Sequence, residues 1–355
     1  MVLRDNSLFM KKIENISRPQ LKVYLSDSFD PWLNLATEKW IFEDMPADYR
    51  ILFLWRNDNT VVIGRFQNPW SECHTGKMQE QGIKLARRQS GGGAVFHDLG
   101  NTNFTFLTSK NKDAKKINNT IIMNSLKELG ILADTSGRND LVVSLNGEQR
   151  KISGSAFKEK TDRSFHHGTL LIDTDLGRLV DFLNPPAKKL ASKGITSVKS
   201  RVCNLTDLNP EIDHDIVCQQ IIQEFFNYYA GDCPIETITT DFMQSVPQIA
   251  QYYREYADWN WRFGETPKFK HQLQETFSWG NIDMHIDAHK GQIQQVKIFS
   301  DSLHPEMITG LMDSLHGQSY SRDGVSNAIV EVSAELPMIA DYLSEFRDWL
   351  IKEIS

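Results

Sequence analysis

The sequence predicts a mixed α/β protein whose chain ends in a small α+β domain. Short apolar runs rich in Val, Ile, Leu and Phe alternate with segments of helical spacing, which is typical of a sheet flanked by helices. Asn146-Gly147 between two apolar runs indicates a β-hairpin. The polar stretch from Asp258 to Pro267 separates the last third of the chain, and 355 residues suit two domains.

The elements follow in order from local signals. Asp30-Pro31 predicts a helix start, because Asp caps a helix and Pro is favoured at its first position. Gly130 ends the next helix. We expect helices at 31–45, 117–129, 216–229, 305–315 and 334–354. We expect strands at 21–25, 51–55, 60–63, 83–88, 102–107, 141–145, 150–153 and 165–173, and near 277, 282–286 and 293–299.

Composition limits the function classes. A net charge of -7 argues against non-specific nucleic-acid binding, which requires a basic surface. No apolar run approaches the roughly 20 residues of a membrane span. Four scattered cysteines without metal-binding spacing suggest reduced thiols and a cytoplasmic protein. Residues 1–20 lack an apolar signal core and are interpreted as an N-terminal extension.

The most informative segment is RRQSGGGAVFHDLGNTN, from Arg87 to Asn103. Three consecutive glycines allow the backbone to approach a ligand closely, and two arginines precede them. Amides and guanidinium groups in such a turn suit an anion. The spacing matches neither a Walker loop nor a dinucleotide-binding loop. A plain glycine-rich turn with solvated arginines is the alternative.

A second polar constellation follows the predicted hairpin. Strand alternation places Lys151, Ser153 and Ser155 on one face if the strand continues, with the lysine at the floor of a pocket. The alternative is an edge-strand lysine that points to water. His166 and His167 are adjacent on a strand, so they face opposite sides and cannot share one metal ion; one of them is expected to be structural or to line the pocket.

Together these segments resemble the lipoate-protein ligase A family over nearly the whole chain, from about Leu21 to Ile354. RRQSGGGAVFHDLGN is similar to the family's lipoate-binding loop, and SGRNDLVV with KISGSAF is similar to the segment that carries its pocket lysine. FHHGTLL and KGITSVKSRVCNL are similar to the next strand and the loop that closes over the adenylate.

The resemblance implies a biotin/lipoate-ligase-like catalytic domain at 21–260 and a small accessory domain at 268–355. It also implies the reaction: (R)-lipoate and ATP, with Mg²⁺, give lipoyl-AMP and pyrophosphate, and the lipoyl group passes to a lysine of an apo lipoyl domain. The implied acceptors are the acyltransferase subunits of 2-oxoacid dehydrogenases and the glycine cleavage H protein, with no nucleic-acid or membrane partner.

The resemblance also implies roles for individual residues. Lys151 is expected to be the catalytic bridge between the lipoate carboxyl group and the α-phosphate. The expected ATP contacts are Arg88, Gly93, Ala94, Val95, Phe96 and Lys151. The expected lipoate contacts are Lys151, Trp55, Arg87, Ser90, Gly92, His97 and Asn103. Trp55, Val62 and Phe96 are expected to be apolar walls for the lipoyl tail, and Asp140 is the candidate contact for Mg²⁺.

Three alternative functions remain. A lipoyl or octanoyl transferase would use a pre-activated acyl donor, and in its thioester-dependent form a cysteine nucleophile, for which Cys203 is the candidate. A non-catalytic binder of lipoyl domains would not need both polar constellations. A biotin ligase would carry a Gly-Arg-Gly-Arg loop, which this sequence lacks. The basic segment 184–201 is expected to close over the adenylate in the ligase.

Overall fold

The fold was analysed in a computed structural model that describes residues 19–67, 69–183, 202–263, 271–289 and 292–354. Residues 1–18 of the predicted N-terminal extension and the whole predicted closing segment, 184–201, lie outside the described residues. The secondary structure confirms a mixed α/β body followed by a small α+β unit.

A large mixed sheet forms the centre of the first domain. Its eight strands run in the order β11-β1-β2-β6-β10-β9-β8-β7. The pairs that β1 makes with β11 and β2 are parallel, and the remaining pairs are antiparallel. The strands are β1 (Leu21–Ser26), β2 (Arg50–Trp55), β6 (Asn101–Ser109), β7 (Ala133–Ser136), β8 (Asp140–Leu145), β9 (Glu148–Glu159), β10 (Arg163–Leu171) and β11 (Ile235–Ile238).

A second, three-stranded sheet carries the glycine-rich segment. It consists of β3 (Thr60–Ile63), β4 (Lys84–Arg87) and β5 (Val95–His97), in the order β4-β3-β5. The glycines connect β4 to β5, so the connection crosses the end of the central strand β3. The consecutive strands β2 and β3 lie in different sheets, although only a short polar turn joins them.

Helices cover both faces of the large sheet. One apolar cluster joins a sheet face to the helices around Ile121 and Ile221, and the other joins the opposite face to the helix around Leu35. The described helices of the first domain are α1 (Pro31–Asp44), α2 (Pro69–Glu72), α3 (Thr75–Glu80), α4 (Ala114–Glu128), α5 (Leu176–Phe182), α6 (His214–Tyr229), α7 (Thr240–Ser245), α8 (Pro247–Ala257) and α9 (Trp259–Phe263).

Two local predictions are confirmed in detail. The side chain of Asp30 accepts hydrogen bonds from the amides of Trp32 and Leu33, so it caps α1. Asn146 and Gly147 both have positive φ, 53° and 80°, and connect β8 to β9. Positive φ at both central residues is the geometry of a tight hairpin turn.

The C-terminal domain packs three helices on a three-stranded sheet. The sheet order is β12-β13-β14, with β12 (His271–Phe277), β13 (Gly280–His289) and β14 (Gln292–Ser300). The helices are α10 (Pro305–Leu315), α11 (Arg322–Glu335) and α12 (Ala340–Glu353). The single helix predicted for 334–354 is therefore wrong. Pro337 lies in a short 3-10 turn between α11 and α12, and proline cannot continue an α-helix interior.

The predicted linker 258–267 is wrong in its first half. Residues Trp259–Phe263 form α9, and Trp261 packs against the first domain. The indole N–H of Trp261 donates to the carbonyl of Arg87 at 2.9 Å. The sequence predicts an exposed linker here, whereas Trp261 attaches the chain to the strand that precedes the glycines.

Candidate functional site

The glycine loop, Gly91–Gly93, lies between the two domains. The amide of Gly92 donates to the carbonyl oxygen of Ser302 at 3.1 Å. A Cβ at Gly91 would lie 1.7 Å from that same oxygen, so no larger residue fits there. Gly92 has a φ of 96°, a conformation that favours glycine. Gly91 and Gly92 therefore allow a close approach of two backbones.

Arg88 stabilises the conformation of this loop through hydrogen bonds from its side chain. Its guanidinium donates to the carbonyls of Gly91 and Gly93, each at 2.8 Å, and to that of Val62 at 3.2 Å. The side chain is buried, and this burial lowers the pKa of Arg88 to about 10. Hydrogen bonds from a charged donor to carbonyl oxygens are strong in such surroundings. Arg88 thus fixes the loop conformation, and its ATP contact stays a prediction.

A buried polar chain links the glycine loop to the large sheet. Arg88 donates to the hydroxyl of Ser90 at 3.1 Å, and that oxygen lies 2.7 Å from Nε2 of His167. Nδ1 of His167 lies 2.7 Å from a carboxylate oxygen of Glu38. The hydroxyl of Thr105 donates to the same oxygen at 2.7 Å.

This chain ends at Trp55, whose indole N–H donates to the hydroxyl of Thr105 at 3.1 Å. The structure therefore brings the predicted residues Trp55, Arg88 and Ser90 into one network. As expected for adjacent strand residues, His166 faces the other side, where its ring packs edge-on against those of Phe104 and Phe157. The prediction that one of the two histidines has a structural role fits this placement.

His97 is held as a neutral ring with a defined tautomer. The side-chain nitrogen of Asn34 contacts the carbonyls of Ser28 and Arg56, so it must be the amide NH₂ group. That group donates to Oδ1 of Asn57 at 3.0 Å, which leaves the Asn57 NH₂ group facing Nδ1 of His97 at 3.2 Å. Nδ1 therefore accepts, and the proton is on Nε2.

The Nε2–H of His97 is a buried donor without a partner among the described residues. Burial, with smaller effects of Arg88 and His167, lowers the pKa of His97 to about 3, so the ring is neutral at physiological pH. A buried N–H without an acceptor is costly, typically by about 1–3 kcal/mol. A ligand oxygen at this position would remove that cost.

Lys151 lies on β9 with its ammonium group in a space that a glycine leaves open. Nζ lies 2.8 Å from the carboxylate of Asp140, and about a third of the side chain is exposed. A Cβ at Gly154 would lie 2.8 Å from Nζ. The alternative of an edge-strand lysine that points to water is wrong, because β9 lies between β8 and β10 and the ammonium group is paired with Asp140.

Lys151 and the glycine loop lie over the same face of β9. Gly154 and Ala156 are two residues apart on this strand, so they share a face. A Cβ at Gly154 would meet Lys151, and a Cβ at Gly92 would lie 3.8 Å from that of Ala156. The glycine loop and Lys151, which the sequence predicts as functional, therefore lie on the same side of the sheet.

The predicted alternation of Lys151, Ser153 and Ser155 on one face is wrong. Lys151 is paired with Val142 and Ser153 with Leu141, so Ile152 forms a bulge. Neighbours on β8 face opposite sides, and so do their two partners. The bulge separates Lys151 from the serines and places it with Gly154 instead.

Arg87 points away from the glycine loop and Lys151. Its guanidinium donates to the carbonyls of Gln67 at 2.7 Å, Trp261 at 2.8 Å and Arg262 at 2.9 Å. These contacts attach α9 to β4. The side chain has no described contact with the glycine loop, so the expected lipoate contact of Arg87 has no support in this placement.

The remaining predicted residues divide between the site and the core. Asn103 is buried next to Trp55, whose carbonyl accepts from its amide group at 3.3 Å. Val62 shares a cluster with Trp55, as a common apolar wall requires. The ring of Phe96 belongs to a different cluster and packs on Phe182, with ring centroids 5.6 Å apart. The expectation that its ring lines the lipoyl slot has no support in this placement.

Cys203 lies beside Lys151 but is poorly suited to be a nucleophile. Its amide donates to the carbonyl of Lys151 at 3.1 Å. The thiol is buried in the main apolar cluster, and burial raises its pKa to about 11. The thiolate is the reactive form of cysteine, and it is disfavoured here.

The described residues contain no group of three or more His, Cys, Asp or Glu side chains that could hold a metal ion. The carboxylate of Asp140, the candidate Mg²⁺ contact, is paired with Lys151. Within the same described ranges, no helix is long and apolar enough to cross a membrane.

Sequence reasoning missed Glu38, Asn57 and Thr105. Glu38 lies in a helix whose neighbours Leu35 and Ile41 are buried, and a carboxylate among buried helix positions was the available signal. A buried acid requires a partner, and here His167 and Thr105 supply it.

Comparison with protein families gives two matches. Residues 30–226 match the model of the lipoyl protein ligase A/B catalytic domain, and residues 266–350 match that of the bacterial lipoate protein ligase C-terminus. The first match alone spans more than half of the 355 residues.

Solved structures give the same assignment. P. falciparum LipL1, determined in complex with lipoate, is 32% identical with a TM-score of 0.81, and the match covers 94% of this chain and 99% of that one. A bi-partite lipoate protein ligase from Thermoplasma acidophilum, described with its E2 lipoyl domain, is 29% identical with a TM-score of 0.61, over 71% and 99% of the two chains.

A lipoate-protein ligase A bound with ATP is 29% identical with a TM-score of 0.59, over 69% of this chain and 99% of the other. The match to the catalytic-domain family, residues 30–226, includes both the glycine loop and the strand that carries Lys151. This chain belongs to the lipoate-protein ligase family.

Proposed function

We propose that this protein attaches lipoate to lipoyl domains in two steps driven by ATP. In the first step a carboxylate oxygen of lipoate attacks the α-phosphorus of ATP, and pyrophosphate leaves. In the second step the amine of an acceptor lysine attacks the lipoyl carbonyl carbon, loses a proton, and AMP leaves. The adenylate is needed because a free carboxylate offers no good leaving group to an amine.

The observation that carries this proposal is the position of Lys151 opposite the glycine loop. Lipoate and ATP are both anionic, so their encounter requires a fixed positive charge between them. The ammonium of Lys151 is partly exposed, is oriented by Asp140, and occupies the space beside Gly154. It can contact the carboxylate of lipoate and the α-phosphate together, and the backbone amides of Gly93–Phe96 are the proposed further contacts to ATP.

The buried polar chain supports recognition of the other substrate. We propose that Trp55 and Val62 line the slot for the lipoyl tail, with Ser90, His97 and Asn103 at its polar boundary. The Nε2–H of His97 lacks an acceptor among the described residues, and a carboxylate or phosphate oxygen of the bound substrates would provide one. A neutral imidazole donates this hydrogen bond without adding charge.

The rival transferase mechanism is disfavoured by Cys203. A thioester donor would have to pass its acyl group to a thiolate, and burial holds the pKa of this thiol at about 11. The thiol is also packed among apolar side chains, away from solvent. The ligase reaction needs no covalent acyl-enzyme and leaves Cys203 without a chemical role.

Acceptor and metal belong to the same proposal. The Thermoplasma neighbour was described with an E2 lipoyl domain, which supports an apo lipoyl domain as acceptor. As acceptors of the lipoyl group we propose the 2-oxoacid dehydrogenase acyltransferase subunits and the glycine cleavage H protein. Mg²⁺ would arrive with ATP and neutralise its phosphates. Four free cysteines fit the proposed cytoplasmic location.

The reaction is tested with purified protein, (R)-lipoate, an apo lipoyl domain and either ATP or no nucleotide. We expect the acceptor mass to increase by one lipoyl group only with ATP, with one AMP formed per lipoyl group transferred. A parallel reaction replaces lipoate and ATP by a lipoyl or octanoyl thioester of acyl carrier protein. Transfer from the thioester with an acyl adduct on Cys203, and none from lipoate and ATP, would assign the transferase instead.

A further inference from the structure

A second polar cavity lies between the two domains, away from the convergence of Lys151 and the glycine loop. We call it the junction cavity and define it by Arg65, Phe66, Arg87 and Trp261 of the first domain with Lys297 and Phe299 of the second. Its volume is about 550 Å³. This is within the range of about 300–1,000 Å³ that small-molecule sites occupy.

Three cations surround the junction cavity. Lys297 has no carboxylate partner among the described residues, and Arg65 lies over the rings of Trp261 and Phe66 at 4.4 and 5.1 Å. The guanidinium of Arg87 is engaged by backbone carbonyls, so it contributes its charge to the cavity and no free donor. Burial lowers the pKa of Lys297, and Arg65 and Arg87 lower it further.

The two acidic residues of the cavity wall are already engaged. Glu255 lines the cavity and pairs with Lys39 at 2.5 Å. Asp258 accepts from the amides of Asn260 and Trp261 at 2.8 and 3.2 Å, so it caps α9. The cations outnumber the acids, and their mutual repulsion is a cost that an anion in the cavity would remove.

The aromatic residues that line the cavity indicate which chemical class of anion it binds. Phe66, Trp261 and Phe299 line the cavity beside the cations, and aromatic side chains in a cavity wall favour a flat ring system in the ligand. We propose that the junction cavity binds a ligand that joins a phosphate group to a heteroaromatic ring, of which a nucleoside monophosphate is the simplest form. Lys297 and Arg65 contact the phosphate, and the rings contact the base.

Such a ligand would bridge the two domains. Lys297 and Phe299 lie on β14, which continues into Ser300 and Ser302, and the amide of Ser300 donates to the carbonyl of Phe66 at 2.6 Å. A phosphate bound by Lys297 and Arg65 would therefore stabilise the contact between the two domains, which also includes the glycine loop. Binding here does not require the reaction proposed above.

The test measures binding of AMP, inorganic phosphate and adenosine to the full chain by calorimetry, without lipoate, ATP or acceptor. Lys297→Gln removes the ammonium and keeps a side chain of similar length, while Lys352→Gln alters an exposed lysine of the same domain as a control. Lys151→Ala removes the proposed phosphate contact of the catalytic site. Unfolding profiles by circular dichroism verify that each variant is folded.

We expect Lys297→Gln to weaken AMP binding at least tenfold, and Lys352→Gln to leave it unchanged. A component of AMP binding should persist in Lys151→Ala, and adenosine should bind more weakly than AMP. In a spectrum of the indole N–H groups, AMP should shift the signal of Trp261. Equal AMP affinity in Lys297→Gln and Lys352→Gln, or loss of all binding in Lys151→Ala alone, would overturn the proposal.

Discussion

The amide of Gly92 donates a hydrogen bond to the carbonyl oxygen of Ser302. The segment proposed to bind lipoate therefore also contacts the C-terminal domain. Leu303 completes this contact, since its side chain lies 3.4 Å from the position a Cβ would take at Gly92. Changes at the glycine loop should therefore affect two properties together: ligand binding and the attachment of the second domain.

The first prediction concerns Gly91→Ala. The added Cβ would lie 1.7 Å from the oxygen of Ser302, a backbone atom that cannot move without shifting the domain. We expect faster cleavage between the domains in limited proteolysis and a larger radius of gyration in solution scattering. Gly76→Ala is the matched control, because nothing lies within 4 Å of a Cβ there. Identical cleavage rates in the two variants would contradict the role of the glycine loop in attaching the C-terminal domain.

The second prediction concerns Gly154→Ala. The new methyl group would lie 2.8 Å from Nζ of Lys151, and the end of this flexible side chain would swing aside at little cost to stability. We expect a melting temperature within about 2 °C of the wild type. The rate of pyrophosphate formation should fall by roughly 10-fold or more, since small misplacements of a catalytic group are costly. A wild-type rate in the folded variant would show that Lys151 does not act from this position.

The third prediction concerns Asn57→Asp. A carboxylate accepts only, so it cannot donate to Nδ1 of His97 as the amide does at 3.2 Å. His97 must then carry a proton on Nδ1, and its pKa should rise from about 3 toward the ordinary range. Nitrogen chemical shifts of the ring across pH report both changes. Asn111→Asp is the control, because its side chain accepts from the amide of Asp113 and an aspartate does the same. An unchanged His97 tautomer in Asn57→Asp would refute the assignment.

The fourth prediction is a loss of stability in acid. Burial lowers the pKa values of His97 and His166 to about 3, whereas both rings titrate near 6.5 when unfolded. The unfolded chain thus binds more protons as pH falls below 6.5, and each histidine costs on the order of 2 kcal/mol at pH 5. The stability is fully present above pH 6.5 and declines toward the folded pKa values.

A variant separates this effect from general acid denaturation. His166→Phe replaces a ring whose two nitrogens lack partners among the described residues and which packs on Phe104 and Phe157. Its melting temperature should fall less than that of the wild type between pH 7.5 and 5. His316→Gln, at an exposed histidine, should follow the wild type. Equal pH dependence in all three proteins would rule out a contribution from His166.

Local signals predicted most of the fold, and long-range contacts account for what they missed. Asp30, Asn146 and Gly147 act through their own neighbours, so their cap and turn could be identified from the sequence. The helix predicted at 334–354 covers α12, but the prediction missed the break at Pro337 and the separate helix α11 before it.

The site shows the same division. The glycine loop and Lys151 form recognisable segments, so both were identified. The partners Glu38, Asn57 and Ser302 lie far from those segments in sequence and carry no motif, and only the folded chain brings them together. The bulge at Ile152, which reverses the face of Lys151 relative to Ser153, leaves no mark in residue type.

The central claim is that Lys151 brings the lipoate carboxylate to the α-phosphate. The most direct test incubates the protein with lipoate, ATP and Mg²⁺ without acceptor, and measures pyrophosphate and lipoyl-AMP. Wild-type protein and Lys127→Ala, a change at an exposed lysine, should form both products. Folded Lys151→Ala should form neither, and Lys151→Arg should restore little, because a planar guanidinium does not replace a compact ammonium. Near-normal pyrophosphate release by folded Lys151→Ala, or none by the wild type, would contradict the claim.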